Sequence, residues 1–272
     1  MPSGSIAGSS ADPLPDLTRR LEFTTPELCG LMAVDPRGGR LLLFPRTGGL
    51  VLFTGERVGD QPPGVVCGLE TRDTPDGGLD VRFRGPALRF AETTPFLDLE
   101  TGLASAALID MEVDLEFRPV HAAREGGDFG RVEGVARLDR ERTALAGGAF
   151  HENGGAFGPW PRLRAAFQLP DGAGLVLTIA LADGSARGHL CRGGAHATVR
   201  AARYELGASL ERIALDVELA DGERLRVDAT PRHRLPVIRT AGPMPVRIDF
   251  LACGIAGDPS PAGWCEVAGK LA

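Results

Sequence analysis

The chain has 272 residues, 43% of them hydrophobic, 24% charged and 6% aromatic, with a formal net charge of −6. This supplies enough apolar surface for one large barrel or two modest domains, while the acidic total and interleaved Arg and Asp exclude the basic footprint of a nucleic-acid or anionic-membrane binder. No run approaches eighteen apolar residues, and the N-terminus has neither a basic start nor an apolar h-region, so no membrane span and a cytoplasmic location are expected.

Residues 1–16 are rich in Ser, Gly, Ala and Pro and read as a disordered leader. Arg40 to Phe44 and Leu50 to Thr54 then flank Arg46-Thr47-Gly48-Gly49, which predicts a first hairpin. A second is expected from Leu79 to Arg84 and Ala87 to Ala91, turning at Gly85-Pro86. From Ser105 to Val120 the chain alternates: Ile109, Met111, Val113, Leu115 and Phe117 share one face, and Asp110, Glu112, Asp114 and Glu116 the other. That is a long strand with a wet face, where hard-cation binding is disfavoured because a flat ladder does not converge on an ion.

The polar, glycine-rich stretch Ala122 to Gly130 predicts a domain boundary, separating 17–125 from 126–272. Beyond it come strands at 131–138 and 143–150 around a turn at Asp139 to Arg142, then the irregular run His151 to Pro161. A meander follows at 162–169, 174–182, 186–191, 195–206, 210–219 and 223–230, with a final pair around 246–252 and 263–268. Three of its connections carry Asp-Gly: Asp171-Gly172, Asp183-Gly184 and Asp221-Gly222. Such pairs accept the positive φ of a tight hairpin turn. No segment keeps a helical period over twelve residues, so the fold class is all-β, and an antiparallel sheet of this size closes or packs to hide its edges.

The chemistry-bearing residues are few. GxSxG, P-loop, GxGxxG and HExxH motifs are absent, so no nucleotide or flavin cofactor is expected. The five cysteines are odd in number and widely spaced, and read as reduced thiols. The most unusual local sequence is Gly147 to Pro161, where a strand ends in His151 and Glu152 before a glycine-rich bend topped by Trp160. His151 and Glu152 are expected to offer a base and an acid to one cavity, as proton transfer requires, or else to cap a strand.

At this segment the chain resembles the hydroxyneurosporene synthase family, the carotenoid 1,2-hydratase-like proteins of the AttH type. The match runs through Gly148, Phe150, His151, Glu152, Asn153, Gly154 and Gly158, with Trp160 displaced; the upstream strand Asp110 to Pro119 and the hairpin Arg131 to Leu145 sit where that family has them. Its acidic-His-x-Trp-Gly pattern is not intact, since the acid follows His151 and no Trp directly precedes Gly154 or Gly155. The resemblance implies two tandem lipocalin-like barrels and a cavity for a hydrophobic, often polyene, substrate that is hydrated, isomerised or cyclised without a cofactor, including by Diels–Alder-type chemistry. The residues expected to act are then His151 and Glu152 in catalysis, with Phe150, Asn153, Trp160 and Tyr204, the chain's one phenol, around a hydrophobic small molecule. A carrier that releases its ligand unchanged is the alternative of a different class.

Two further groups stand apart. A two-residue loop at Gly193-Gly194 sets Cys191 opposite His196, with His189 on the same face as Cys191, which is the donor set of a zinc site, although short hairpins collect such residues by chance and no metal is expected. Arg232-His233-Arg234 is basic and is read either as a receiver for a substrate's anionic end or as an exposed strand end.

Overall fold

The computed structural model describes residues 19–35, 38–56, 65–93, 103–121, 127–153, 161–241, 244–256 and 261–270, and it is all-β. β1 (Arg19–Thr24), β2 (Leu28–Val34), β3 (Gly38–Pro45) and β4 (Leu50–Glu56) form a meander. β5 (Val65–Val66) and β6 (Leu69–Asp73) form a small hairpin, and β7 (Leu79–Phe90), β8 (Ala107–His121), β9 (Asp128–Leu138) and β10 (Glu141–Asn153) a second meander. Because β10 also pairs with β1, and Leu50 to Leu52 of β4 pair with Leu88 to Phe90 of β7, the ring β1-β2-β3-β4-β7-β8-β9-β10 closes.

The second unit is a closed up-and-down barrel of β11 (Arg162–Gln168), β12 (Gly174–Ala180), β13 (Ala186–Arg192), β14 (Ala195–Leu206), β15 (Ile213–Leu219), β16 (Arg224–Ala241), β17 (Met244–Ile255) and β18 (Pro261–Lys270). All three Asp-Gly turns are present, with Gly172, Gly184 and Gly222 at φ of +81°, +72° and +91°. In each, the Asp carboxylate accepts the backbone N–H two residues on, from Ala173, Ser185 and Glu223, which locks the turn locally.

Two expectations change. The division between the barrels falls between Asn153 and Arg162 instead of at 125/126, because β9, which begins at Asp128 within the glycine-rich stretch, and β10 are needed to close the first ring onto β1. Gly85-Pro86 is not a turn either. β7 runs straight through, pairing with β6 over Leu79 to Phe83 and with β4 over Leu88 to Phe90, and the Gly-Pro pair sits where one partner gives way to the other. A proline that cannot donate is tolerated where a strand lacks a continuous neighbour. The leader 1–16 lies outside the described residues.

Each barrel has its own apolar interior. Leu21, Phe23, Met32, Leu41, Phe83, Leu115, Phe117 and Leu145 belong to the first, and Leu163, Phe167, Leu177, Leu215, Val227 and Leu251 to the second. A third cluster joins the barrels, with Cys29, Leu31, Leu42, Phe44, Leu50 and Phe90 packed on Leu235, Ala252 and Trp264. β1 and β2 are therefore buried on both faces and lack the alternation that marks a half-exposed strand.

Candidate active site

Successive side chains of a strand project to opposite faces, and β10 runs along the wall shared by the two barrels. Ala149 and His151 face the lumen of the first barrel, whereas Phe150 and Glu152 face the second. His151 and Glu152 therefore do not converge on one cavity, as their adjacency had suggested.

His151 is 3% exposed, its ring centroid 5.4 Å from that of Phe117, and its Nε2 is buried without a hydrogen-bond partner. Burial first, and the Arg19 charge second, hold its pKa below the ordinary 6.5, against weaker opposing pulls from Asp128 and Asp73. The imidazole is thus neutral near pH 7 and keeps one nitrogen unengaged, which is the state in which histidine accepts a proton.

At the end of the barrel where His151 sits, β4 and β7 part and the β5–β6 hairpin fills the gap between them. Phe53 to Glu56 of β4 and Leu79 to Phe83 of β7 are not paired with each other; β6 lies along β7 there, and Leu69 and Val66 approach Gly39 of β3. Arg19 spans this end of the barrel. Its guanidinium donates to Thr71 Oγ1 at 3.2 Å and to Asp73 Oδ2 at 2.8 Å, although β1 and β6 are not sheet neighbours and lie on opposite sides of the ring. Leu21 stands opposite His151 and Arg19 opposite Asn153, so Arg19 is the diagonal neighbour of His151 on the lumen face.

On the other face of β10 lies a seam of buried charge. Glu152, Arg164, Glu22, Arg20, Glu266 and Arg162 alternate in sign along one chain of ion pairs, with contacts of 2.8 Å for Glu152–Arg164, 2.7 Å for Arg164–Glu22, 3.0 Å for Arg20–Glu266 and 2.6 Å for Glu266–Arg162. The first barrel supplies two Glu and one Arg, the second two Arg and one Glu, so only the docked pair is neutral. The Arg164 guanidinium lies 5.5 Å over the Phe150 ring, which packs at a tilt of 47° against Phe129 with ring centroids 4.8 Å apart. The crevice here, between Phe150, Phe129, Gln168 and Trp264, holds about 10 Å³, at the lower limit for a single water. A substrate does not fit on this side in the conformation seen.

The remaining candidates are dispersed. Tyr204 is half-buried on β14 against the interior of the second barrel. Trp160 and the side chain of Asn153 lie outside the described residues. Cys191 Sγ is 3.1 Å from His196 Nδ1, as the two-residue loop requires, and His189 is 6.2 Å from His196 between ring centroids, but among the described residues no group of three or more His, Cys, Asp or Glu is arranged to hold a metal ion. Burial pushes the Cys191 thiol up to about 11. The carboxylate row on β8 is tied to arginines, Glu112 to Arg137 and Glu116 to Arg118 at 2.7 Å each. Of the basic trio, His233 stacks on Phe44 at the seam and Arg234 is held by Asp249 at 2.7 Å.

Sequence reasoning missed Arg19, Thr71 and Asp73 because the contact spans about fifty residues and β1 and β6 were not assigned. No protein-family model matches the chain, and neither does any curated protein. Among solved structures the chain is similar to CghA, at 12% identity and a TM-score of 0.47, over all of this chain and 95% of that one. It is also similar to kievitone hydratase from Nectria haematococca, at 8% identity and 0.44, covering 97% and 92%, and to CghA with Sch210972, at 11% and 0.46, covering 95% and 89%. The fold assignment rests on the strand pairings themselves.

Proposed function

We propose that this protein is a cofactor-independent enzyme of natural-product biosynthesis that admits a hydrophobic polyene, polyketide or isoprenoid chain to the first barrel and cyclises it, with His151 as the proton-handling group. The observation that carries this reading is the unpartnered Nε2 of His151: one neutral imidazole, buried in an otherwise apolar wall near the barrel end, or mouth, that Arg19 spans. Leaving such a nitrogen unsatisfied costs about 1–3 kcal/mol, a cost that a reacting group recovers when substrate arrives. An apolar mould also accelerates ring closure by holding a floppy chain in its reactive fold. Met32 and Met111 in the lining give that mould adaptable side chains. The same imidazole serves addition of water across a double bond, which is the second reading.

The test is incubation of the purified protein with linear polyenes and isoprenoids in deuterated water, with product analysed by mass spectrometry. A cyclised isomer without label marks the pericyclic route, label at a former alkene carbon marks protonation, and addition of water marks the hydratase. On the two routes that move a proton, His151→Ala is expected to lose turnover by about 100-fold or more. Tight binding with every compound returned unchanged would make the protein a carrier and end the enzymatic reading.

A further inference from the structure

The Arg19–Asp73 pair joins a sheltered cation to an exposed anion: the Arg19 side chain is 17% exposed and that of Asp73 63%. Such a pair is asymmetric. Asp73 gains full hydration if released, whereas the more sheltered Arg19 gains less. The group best suited to replace Asp73 is another oxyanion, which a planar guanidinium holds with two parallel N–H donors. Thr71 Oγ1, already bonded to the same guanidinium at 3.2 Å, keeps the fork aimed across the opening. Below Arg19 the lumen face turns apolar at Leu21 and Phe23, with His151 the polar exception.

We propose that Arg19 is a substrate-anchoring residue, exchanging Asp73 for a carboxylate or comparable oxyanion at one end of the substrate, so that the substrate class is an apolar chain with a single acidic head held at the mouth. This rests on the reading of the first barrel as the substrate container. It makes Asp73 a resident competitor that closes the mouth when no acid is bound, and it places the head group one diagonal step from His151, so that the reacting carbons are those nearest the head.

The experiment uses cis-parinaric acid, a fluorescent conjugated tetraene carboxylate, and its methyl ester, titrated into the full-length protein. The wild type is expected to bind the acid roughly tenfold or more tighter than the ester. Arg19→Gln should erase that preference while leaving ester affinity in place, and Asp73→Asn should tighten the acid by about two- to fivefold without affecting the ester. Equal affinities in the wild type, or a preference that survives Arg19→Gln, would overturn the proposal while leaving the barrel a container. If Arg19→Gln does not fold, Asp73→Asn decides, and an unchanged acid affinity in that variant overturns it. Failure of the wild type to bind either probe would reject the container reading and the anchor with it.

Discussion

His151 and Glu152 are consecutive on β10, yet the first sits against Phe117 in the lumen of one barrel and the second reaches the Arg164 guanidinium of the other at 2.8 Å. One strand thus supplies both a chemical group and a structural one, separated by a single peptide bond. The wall between the barrels carries its charge on the seam side and an imidazole with an unpartnered Nε2 on the lumen side, so substitutions at neighbouring positions are expected to register in different measurements.

Turnover should persist to mildly acidic pH. A surface histidine is half protonated near 6.5, but burial and the Arg19 charge hold the His151 imidazole neutral below that value. The acid limb of the kcat/KM profile should therefore fall below pH 6.5. The same shift has a stability consequence: the unfolded chain binds a proton on this histidine at a higher pH than the folded one, so its contribution to stability is present above 6.5 and declines as pH falls through the interval below it. An acid limb at or above 6.5 would show that His151 is not the group titrating in catalysis.

Much of the second barrel was legible because its turns are local. Asp171-Gly172, Asp183-Gly184 and Asp221-Gly222 fix their hairpins through contacts within four residues, and β14, between the second and third, keeps a wet outer face. The first barrel was harder. β1 and β2 are buried on both faces, so Arg20-Leu21-Glu22-Phe23 does not separate seam from lumen, and the ring closes through β1–β10 and β4–β7 pairings that no local signal announces. Within segment 147–161, the adjacency of His151 and Glu152 suggested a shared cavity, whereas strand alternation separates them. The burial of Arg162, Arg164 and Glu266 has no local signal either: alternation identifies the side facing away from a barrel's own core, not whether a second barrel covers it.

Acid should weaken the protein through the seam. Burial alone would raise the Glu266 carboxyl, but Arg20, Arg162 and Arg164 outweigh it and hold the pKa down from 4.5 to about 2. A depressed carboxylate contributes stability that is fully present above its unfolded-state value and is lost as pH falls through the folded-state one, so the loss runs from about 4.5 to about 2 and amounts to roughly 3 kcal/mol. Denaturant titrations at steps between pH 5 and pH 2 measure it. Because the network is buried, added salt should leave the loss largely unchanged. A stability that stays flat across this window would mean that the charge chain does not hold the barrels together.

Two glycines at the seam separate tight packing from mere proximity. A Cβ on Gly174 would enter the Phe129 ring, and one on Gly148 would meet the Gln168 side-chain oxygen. The Phe129 ring is held between Phe150, 4.8 Å away, and the buried cluster with Ala166 and Val176, so it has no direction in which to retreat. Gln168 is exposed and flexible, and can swing its amide into water. Gly174→Ala should accordingly cost about 1–3 kcal/mol, as overpacking does, while Gly148→Ala should cost less than about 1 kcal/mol. Urea unfolding followed by tryptophan fluorescence reports the seam directly, because Trp264 is buried there with its Nε1–H donating to the Phe23 carbonyl at 3.3 Å. Equal costs at the two positions would mean that Phe129 is free to move, and that the barrels are held by the charge chain rather than by close packing of their walls.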